Sequence, residues 1–443
     1  MTKSTFEYLK LQLNGSADAK IQPLKKSNEQ IYLIYMKSLC DGDKIQQLLV
    51  KPFFEMHATE EYSYYLQSLA DFKEFKDNDG ALQDIFHGAV AVFLPEQVII
   101  LDLKLQTNKE VLDASVETTI HGPQKALSEN LEVNLNLIRQ RYHSSTLITE
   151  FMGEIGYKSK VQLALLYDES LIKKEVLDEI RKKIKELDKA VIQTAGQLLR
   201  NFTKRKTLFP TYLITERPDR IAYNLALGKF VIVLQGTPFV LIGPAVFYDF
   251  LSSMEDLYMP FWIAKFLVMI RYIGLFISTL LPAVYVGVTS YNPELFRIQL
   301  ALTIAGSRAT VPFPSYLEVL FMLLMMELLV EASIRLPKAI GPTATTVGGL
   351  ILGTAATEAG LVSSIMIIIV SAVAISNFVI PINEMGFAMR NVKYVLLFLA
   401  SISGLIGVVV GLIGLVFFLV NINSLGEPYL KLFYSEQTRK RQV

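Results

Sequence analysis

Apolar positions follow two different rules on either side of about residue 255. Before it, apolar runs are short and separated by charged stretches and turn residues. Residues 1–30 are polar and carry Asn14-Gly15 and Pro23, which predicts a loose arm. IYLIYMKSLC (31–40) predicts a buried strand, and Asp41-Gly42-Asp43 turns it into a helix, KIQQLLVKPFF. Residues 89–104 predict a hairpin turning at Pro95-Glu96. Residues 123–142 predict a helix with Asn and Arg outward; LITEFMGEI and VQLALLYD predict strands. LIKKEVLDEIRKKIKELD (171–188) places apolar residues three and four apart, the signature of an amphipathic helix. A helix over 217–227, capped by Asp219 or Thr215 and closed by Gly228, follows. KFVIVLQGTPFVLIGP is split by Gly236-Thr237-Pro238 and reads as a hairpin, because neither arm approaches the ~20 residues a spanning helix needs. Strands alternating with helices predict an α/β N-terminal region of two subdomains, 1–150 with the arm and 151–255.

Beyond residue 255 the apolar runs lengthen. Phe261 to Thr289 predicts a first membrane span. Lys265 and Arg271 within it would each cost about 2.5–3.5 kcal/mol at mid-bilayer, so Lys265 is expected to snorkel to the interface and Arg271 to face protein. A short amphipathic piece, 294–306, precedes the VPFP break. Residues 315–336 predict a second apolar helix, ended by Pro337 and Gly341-Pro342. Residues 343–381 are too long for one span at ~1.5 Å per residue, and Gly360 divides them. Residues 391–421 predict a last span carrying a glycine seam, Gly404, Gly407, Gly411 and Gly414, on one face. The whole of 256–425 reads as an all-α multi-pass membrane domain with four crossings plus one or two in-plane or re-entrant pieces. Residues 426–443 read as a short cytoplasmic tail, because Arg439-Lys440-Arg441 favours that side.

Composition supports the division. Mean hydropathy is +0.36, and only 13 of the 43 Lys/Arg and 11 of the 42 Asp/Glu fall in residues 229–443. A net charge of +1 excludes a nucleic-acid-type basic field. The lone Cys40 excludes an internal disulfide. MTKSTFEYLKLQLNG has no apolar core of a signal peptide, so the N-terminal region is expected to stay cytoplasmic and soluble. No Walker loop, GxSxG elbow, HExxH or CxxC occurs, and His57, His87, His121 and His143 share no ligand spacing. No catalytic set, metal site or cofactor is therefore expected, and no enzyme.

The carboxylates of the apolar part say more. Glu327, Glu331 and Arg335 stand at i, i+4 and i+8; they are expected to form a membrane ion pair that fixes the helix end or, in the alternative, to line a path for an ion or polar ligand. Glu318 lies on the opposite side of that helix and needs another partner. The helix beginning near Thr343 sorts into two stripes. Thr345, Gly349, Gly353 and Ala356 are small and suit close packing. Thr343, Val347, Leu350, Thr354 and Glu358 lie nearly opposite, a stripe that ordinarily faces lipid or core.

FPTYLITERPDRIAYNLALGKFVIVLQGTPFVLIGP, with Glu216, Arg217, Pro218, Asp219, Gly236 and Pro238, resembles the signature of GerA-type spore germinant receptor A subunits. The match continues in LPAVYVGV, in VPFPSYLEVLFMLLMMELLVEASIRLP with Pro337, in the IG…VGGLILG run and in LGEPYL. His121 stands where that family usually has Arg, and the segment after Tyr429 lacks its Pro-rich continuation. The resemblance implies a spore inner-membrane protein working with a transporter-like B subunit and a lipoprotein C subunit. It implies a complex that senses small nutrients and an A subunit that oligomerises into a nutrient-gated cation path. Subunits would then pack through the small stripe, Val347 and Leu350 would form a constriction that gates by dewetting, and Thr354 and Glu358 would favour cations. The alternative is a secondary transporter of a small nutrient, motivated by the breaks at Pro337–Pro342 and Gly360.

Overall fold

The structure, a computed structural model, describes residues 2–13, 15–26, 29–105, 113–114, 116–117, 121–187, 191–203, 207–337 and 340–432. It has a mixed α/β N-terminal region followed by a helical bundle. The first sheet has strand order β1-β2-β4-β5-β3, with β1 Ala19–Lys26, β2 Glu29–Met36, β3 Phe72–Glu74, β4 Ala89–Phe93 and β5 Val98–Asp102. The expected loose arm is instead helix Thr2–Leu13 and strand β1, which pairs antiparallel with β2 over its whole length. Phe6, Leu9 and Leu13 at helical spacing put Leu9 and Leu13 into the core, and Pro23 is tolerated because β1 is an edge strand. Alternation sends Leu33 and Val92 to one face and Ile34 and Ala91 to the other. Helices therefore cover both faces of this sheet.

The second sheet has order β6-β7-β9-β10-β8, with β6 Leu147–Ile155, β7 Val161–Asp168, β8 Leu213–Thr215, β9 Phe230–Leu234 and β10 Val240–Gly243. β6 begins before residue 150. β9 and β10 form the expected hairpin, turning through Gly236 at φ +84°. Every strand pair in both large sheets is antiparallel. Helix Leu131–Arg139 starts later than expected, where the Asn130 side chain accepts from the backbone of Glu132 and Val133. Its Asn and Arg residues face inward, not outward. Asn136 donates to the Ser38 carbonyl, and Arg139 pairs with Asp18 at 3.0 Å, so polar groups join the two sheets. Polar atoms at such a seam are partnered because a bare buried one costs about 1–3 kcal/mol.

The bundle contains helices Phe261–Tyr291, Ile298–Arg308, Ser315–Arg335, Gly341–Glu358, Ser364–Phe378 and Asn383–Asn421. Its course is fixed by contacts at its two ends. Arg271, in the sheet-side half of the first helix, donates to the Leu251 carbonyl and to Asp256. At the far end Ser290 meets Ser315, so 315–335 returns. Gly341 turns against the Ser333 carbonyl, 341–358 runs out, and Ser363 donates to Glu318 at the far end. Then 364–378 returns, bringing Ser376 and Val379 against Gly274.

The last helix corrects the expectation of one span. Continuous, its 39 residues would extend about 58 Å, far more than a ~30 Å hydrocarbon core. Gly404 breaks it at φ 62°, ψ −140°, a conformation open essentially to glycine alone. A Cβ on Gly407 would lie 2.2 Å from the Leu399 carbonyl oxygen, and one on Gly411 2.5 Å from the Leu396 side chain. In one straight helix those partners would be about 12 and 22 Å away along the axis. The segment is therefore a helical hairpin, and the seam packs within it. Gly404 abuts Tyr291, whereas Gly414 has open space around it.

Candidate functional site

The family-signature residues Glu216 to Asp219 lie where the second sheet meets the bundle. Pro218 opens helix Pro218–Ala226, where its fixed φ and missing N–H are harmless. Neither expected residue caps that helix. The Thr215 hydroxyl accepts from the Arg217 N–H, and Asp219 is engaged by Arg217 in a two-pronged pair at 3.0 and 2.6 Å. Arg217 also donates to the Glu117 and Pro123 carbonyls. Its side chain is 1% exposed. Burial works against the guanidinium charge, but the Asp219 bonds and charge, helped by Glu117, outweigh it and raise its pKa. Tyr258, hydrogen-bonded to Asp219, is pushed up to about 12 by burial and by that carboxylate. Glu216 accepts from Val116 N–H, and Arg220 pairs with Glu117 at 2.7 Å and donates to the Asp249 and Ser252 carbonyls. Lys229 pairs with Asp249 at 2.7 Å, with burial lowering its pKa.

These pairs form a collar where the chain enters the bundle, and the exit is held at the same place. LGEPYL makes a small hairpin, Asn423–Ser424 against Glu427–Pro428. Tyr429 accepts from the Phe247 N–H, and Ser424 donates to the Thr211 carbonyl. Both ends of the bundle chain are thereby tied to the second sheet and the segment that follows it. Arg217→Lys keeps the charge but loses the fork that grips Asp219 and the two carbonyls. It is expected to lower the thermal midpoint of the purified protein by several degrees, measured in detergent; an unchanged midpoint would show that the fork is dispensable.

Inside the bundle, the expected grouping of Glu327 with Glu331 and Arg335 does not hold. Glu331 and Arg335 pair at 2.7 Å, but their side chains are 60% and 77% exposed. Such i,i+4 pairs contribute only about 0.3–0.5 kcal/mol. Glu327 turns to the last helix, where Arg390 and Lys393 both reach it at 3.1 Å. Glu318, fully buried, accepts from the Ser363 backbone and hydroxyl and lies 3.3 Å from Arg308. Sequence reading missed Arg390 and Lys393, although two cations three residues apart at the start of an apolar run were a usable signal.

Helix 341–358 has one face against its neighbours and one exposed. Gly348 and Gly349 face Leu329, Gly353 faces Ile367, and Ala356 is buried. Thr345 lies outside the residues whose side chains are described. The small face is thus occupied by helices of the same chain. Thr343, Val347, Leu350, Thr354 and Glu358 are all exposed, and the Thr354 hydroxyl is satisfied by the Leu350 carbonyl. Arg439-Lys440-Arg441 lies outside the described residues. Among the described residues, no cluster of His, Cys, Asp and Glu could hold a metal ion. The expectation of no catalytic or cofactor chemistry remains one drawn from sequence.

Comparison with known proteins places this arrangement. The family described as Bacillus/Clostridium GerA spore germination protein matches residues 7–442, and the chain belongs to it. Similar proteins include spore germination protein KA of Bacillus subtilis (strain 168), 32% identical over 435 residues covering 95% of this chain and 79% of that one. Spore germination protein GerLA of Bacillus cereus is 34% identical over 411 residues, 90% of this chain and 82% of that one. The uncharacterized membrane protein YfkQ of Bacillus subtilis (strain 168) is 33% identical over 439 residues, 97% of this chain and 85% of that one. The crystal structure of the N-terminal domain of the A subunit of the Bacillus megaterium spore germinant receptor GerK3 is similar at 23% identity and a TM-score of 0.41, over 55% of this chain and 94% of that one.

Proposed function

We propose that this chain is the A subunit of a nutrient-sensing germinant receptor in the spore inner membrane. It works there with a transporter-like B subunit and a lipoprotein C subunit, and copies of it assemble around a nutrient-gated cation path. Two helical stretches are long and apolar enough to cross a membrane, Phe261–Tyr291 and Asn383–Asn421. With the latter doubled at Gly404 and 315–335, 341–358 and 364–378 running end to end, six crossings result. An even number leaves residues 1–255 and the chain after 425 on one side, the cytoplasmic side in this reading.

The observation that carries the path is the exposed stripe of helix 341–358. Thr343, Val347, Leu350, Thr354 and Glu358 form a continuous line from one end of the bundle to the other, on the side away from helices 315–335 and 364–378. In the assembly that line faces the axis. Val347 and Leu350 form a constriction impermeable to hydrated ions, and Glu358 offers a ring of carboxylates at the far mouth. Val347→Ser and Leu350→Ser are expected to release monovalent cations without nutrient, several-fold above wild type, in spores or reconstituted vesicles. Normal assembly with unaltered resting and nutrient-triggered release would overturn the assignment.

A further inference from the structure

A cavity of about 760 Å³ lies where the second sheet's helices meet the start of helix 261–291. Its inner wall comes from the N-terminal region, including Leu213, Tyr223 and Tyr248. Its outer wall comes from Trp262, Lys265, Phe266 and Met269. Trp262 is 80% exposed, and Phe266 and Met269 are about half exposed. An exposed tryptophan beside a lysine at a helix start is the usual mark of the membrane–water boundary. The cavity therefore sits at headgroup level, with its polar wall toward the N-terminal region and its apolar wall continuous with the outer face of the bundle.

The charges at the cavity select what enters. Asp249 is neutralised by Lys229, Asp256 by Arg271, and Arg220 by Glu117. Lys265 has no carboxylate partner among the described residues; its ammonium rests 5.2 Å from the centre of the Phe261 ring. Among the charged side chains that line the cavity, Lys265 is thus the one with no opposite charge within 4 Å among the described residues, a cation at the mouth of a mainly apolar hollow.

We propose that this cavity binds one anionic phospholipid of the adjoining leaflet, with its phosphate on Lys265 and one acyl chain along Phe266 and Met269. The volume falls within the range for a single small ligand. It accommodates a headgroup and part of one chain, leaving the other chain on the exposed helix face. A lipid held there would wedge between the collar and the first helix. The proposal rests on the bundle crossing a membrane.

The test uses the full chain in phosphatidylcholine vesicles carrying a trace of photoactivatable phosphatidylglycerol, with adducts mapped by mass spectrometry. Adducts are expected to concentrate on residues 248–272, and unlabelled phosphatidylglycerol should compete while phosphatidylcholine and inorganic phosphate do not. Lys265→Glu should lower labelling about tenfold, the scale of one charge-assisted contact, whereas Lys265→Arg should retain it. Both variants are to elute as wild type in size exclusion; a variant that does not is replaced by Lys265→Gln. Labelling spread evenly over the outer faces of 261–291 and 405–421, or indifferent to residue 265, would overturn the site. Competition by inorganic phosphate would make it a phosphate site and overturn the lipid. Failure of the chain to enter vesicles at all would overturn the membrane reading and this site with it.

Discussion

Gly407→Ala is expected to damage this protein severely, whereas Gly414→Ala, about two helical turns further on, should be harmless. A methyl on Gly407 would stand 2.2 Å from the Leu399 carbonyl oxygen and 2.7 Å from its carbon. These are backbone atoms held by their own helix, so they cannot rotate aside as a side chain would. The two arms of the 383–421 hairpin must separate, losing close packing along Gly411 and Leu396 as well. Overpacking of this kind costs about 1–3 kcal/mol and more where backbone must move. A methyl on Gly414 meets nothing within 4 Å, and replacing glycine inside a helix by alanine stabilises it by roughly 0.5–1 kcal/mol. Thermal unfolding of both variants in detergent, followed by tryptophan fluorescence and size exclusion, separates them. Equal midpoints for Gly407→Ala and wild type would mean that the chain does not double back at Gly404.

That hairpin marks how far the sequence could be read. The long hydrophobic runs located the bundle, and the short apolar runs bounded by turn residues located β2, β4, β7 and the β9–β10 hairpin, because both patterns are set by local burial. The spacing of Gly404, Gly407, Gly411 and Gly414 suggested a single seam on one face, but Gly404 is the break, Gly407 and Gly411 meet the other arm, and Gly414 meets nothing. What the spacing could not say is which surface that face meets. A glycine in a helix and a glycine at φ +62° look alike in sequence, and only the tertiary contact with Tyr291 and Leu399 distinguishes them. The N-terminal arm was misjudged for a related reason. Ala19–Lys26 is polar and contains Pro23, and it becomes a strand only because the β2 edge offers it a full antiparallel ladder.

The charged groups show the same limit. Glu327, Glu331 and Arg335 lie on one helical face, and sequence spacing favours pairing along the helix. The structure divides them because Arg390 and Lys393, more than sixty positions away, approach Glu327 from a neighbouring helix. Arg217 and Asp219 were legible as a signature through family resemblance alone. Nothing in their spacing indicated that they would bind Glu117, Pro123 and Tyr258.

The Glu327 cluster yields an ordered set of expectations. One carboxylate faces two cations, and Lys393 is 1% exposed while Glu327 and Arg390 are 21% exposed. Removing one cation leaves a one-to-one pair. Removing the carboxylate leaves two like charges side by side with no counter-charge, the costlier of the two changes. Breaking a buried pair in that way costs about 3–5 kcal/mol, less here in proportion to the partial exposure. Glu327→Gln should therefore sharply reduce the yield of monodisperse protein and lower its thermal midpoint, whereas Lys393→Met should be close to wild type. Adding Lys393→Met to Glu327→Gln should recover part of the loss, because one of the two unmatched cations is gone. The midpoints of these three variants, measured in one detergent and salt, test the set. A Lys393→Met variant less stable than Glu327→Gln would mean that packing of the lysine stem, not charge balance, holds helix 315–335 to the last hairpin.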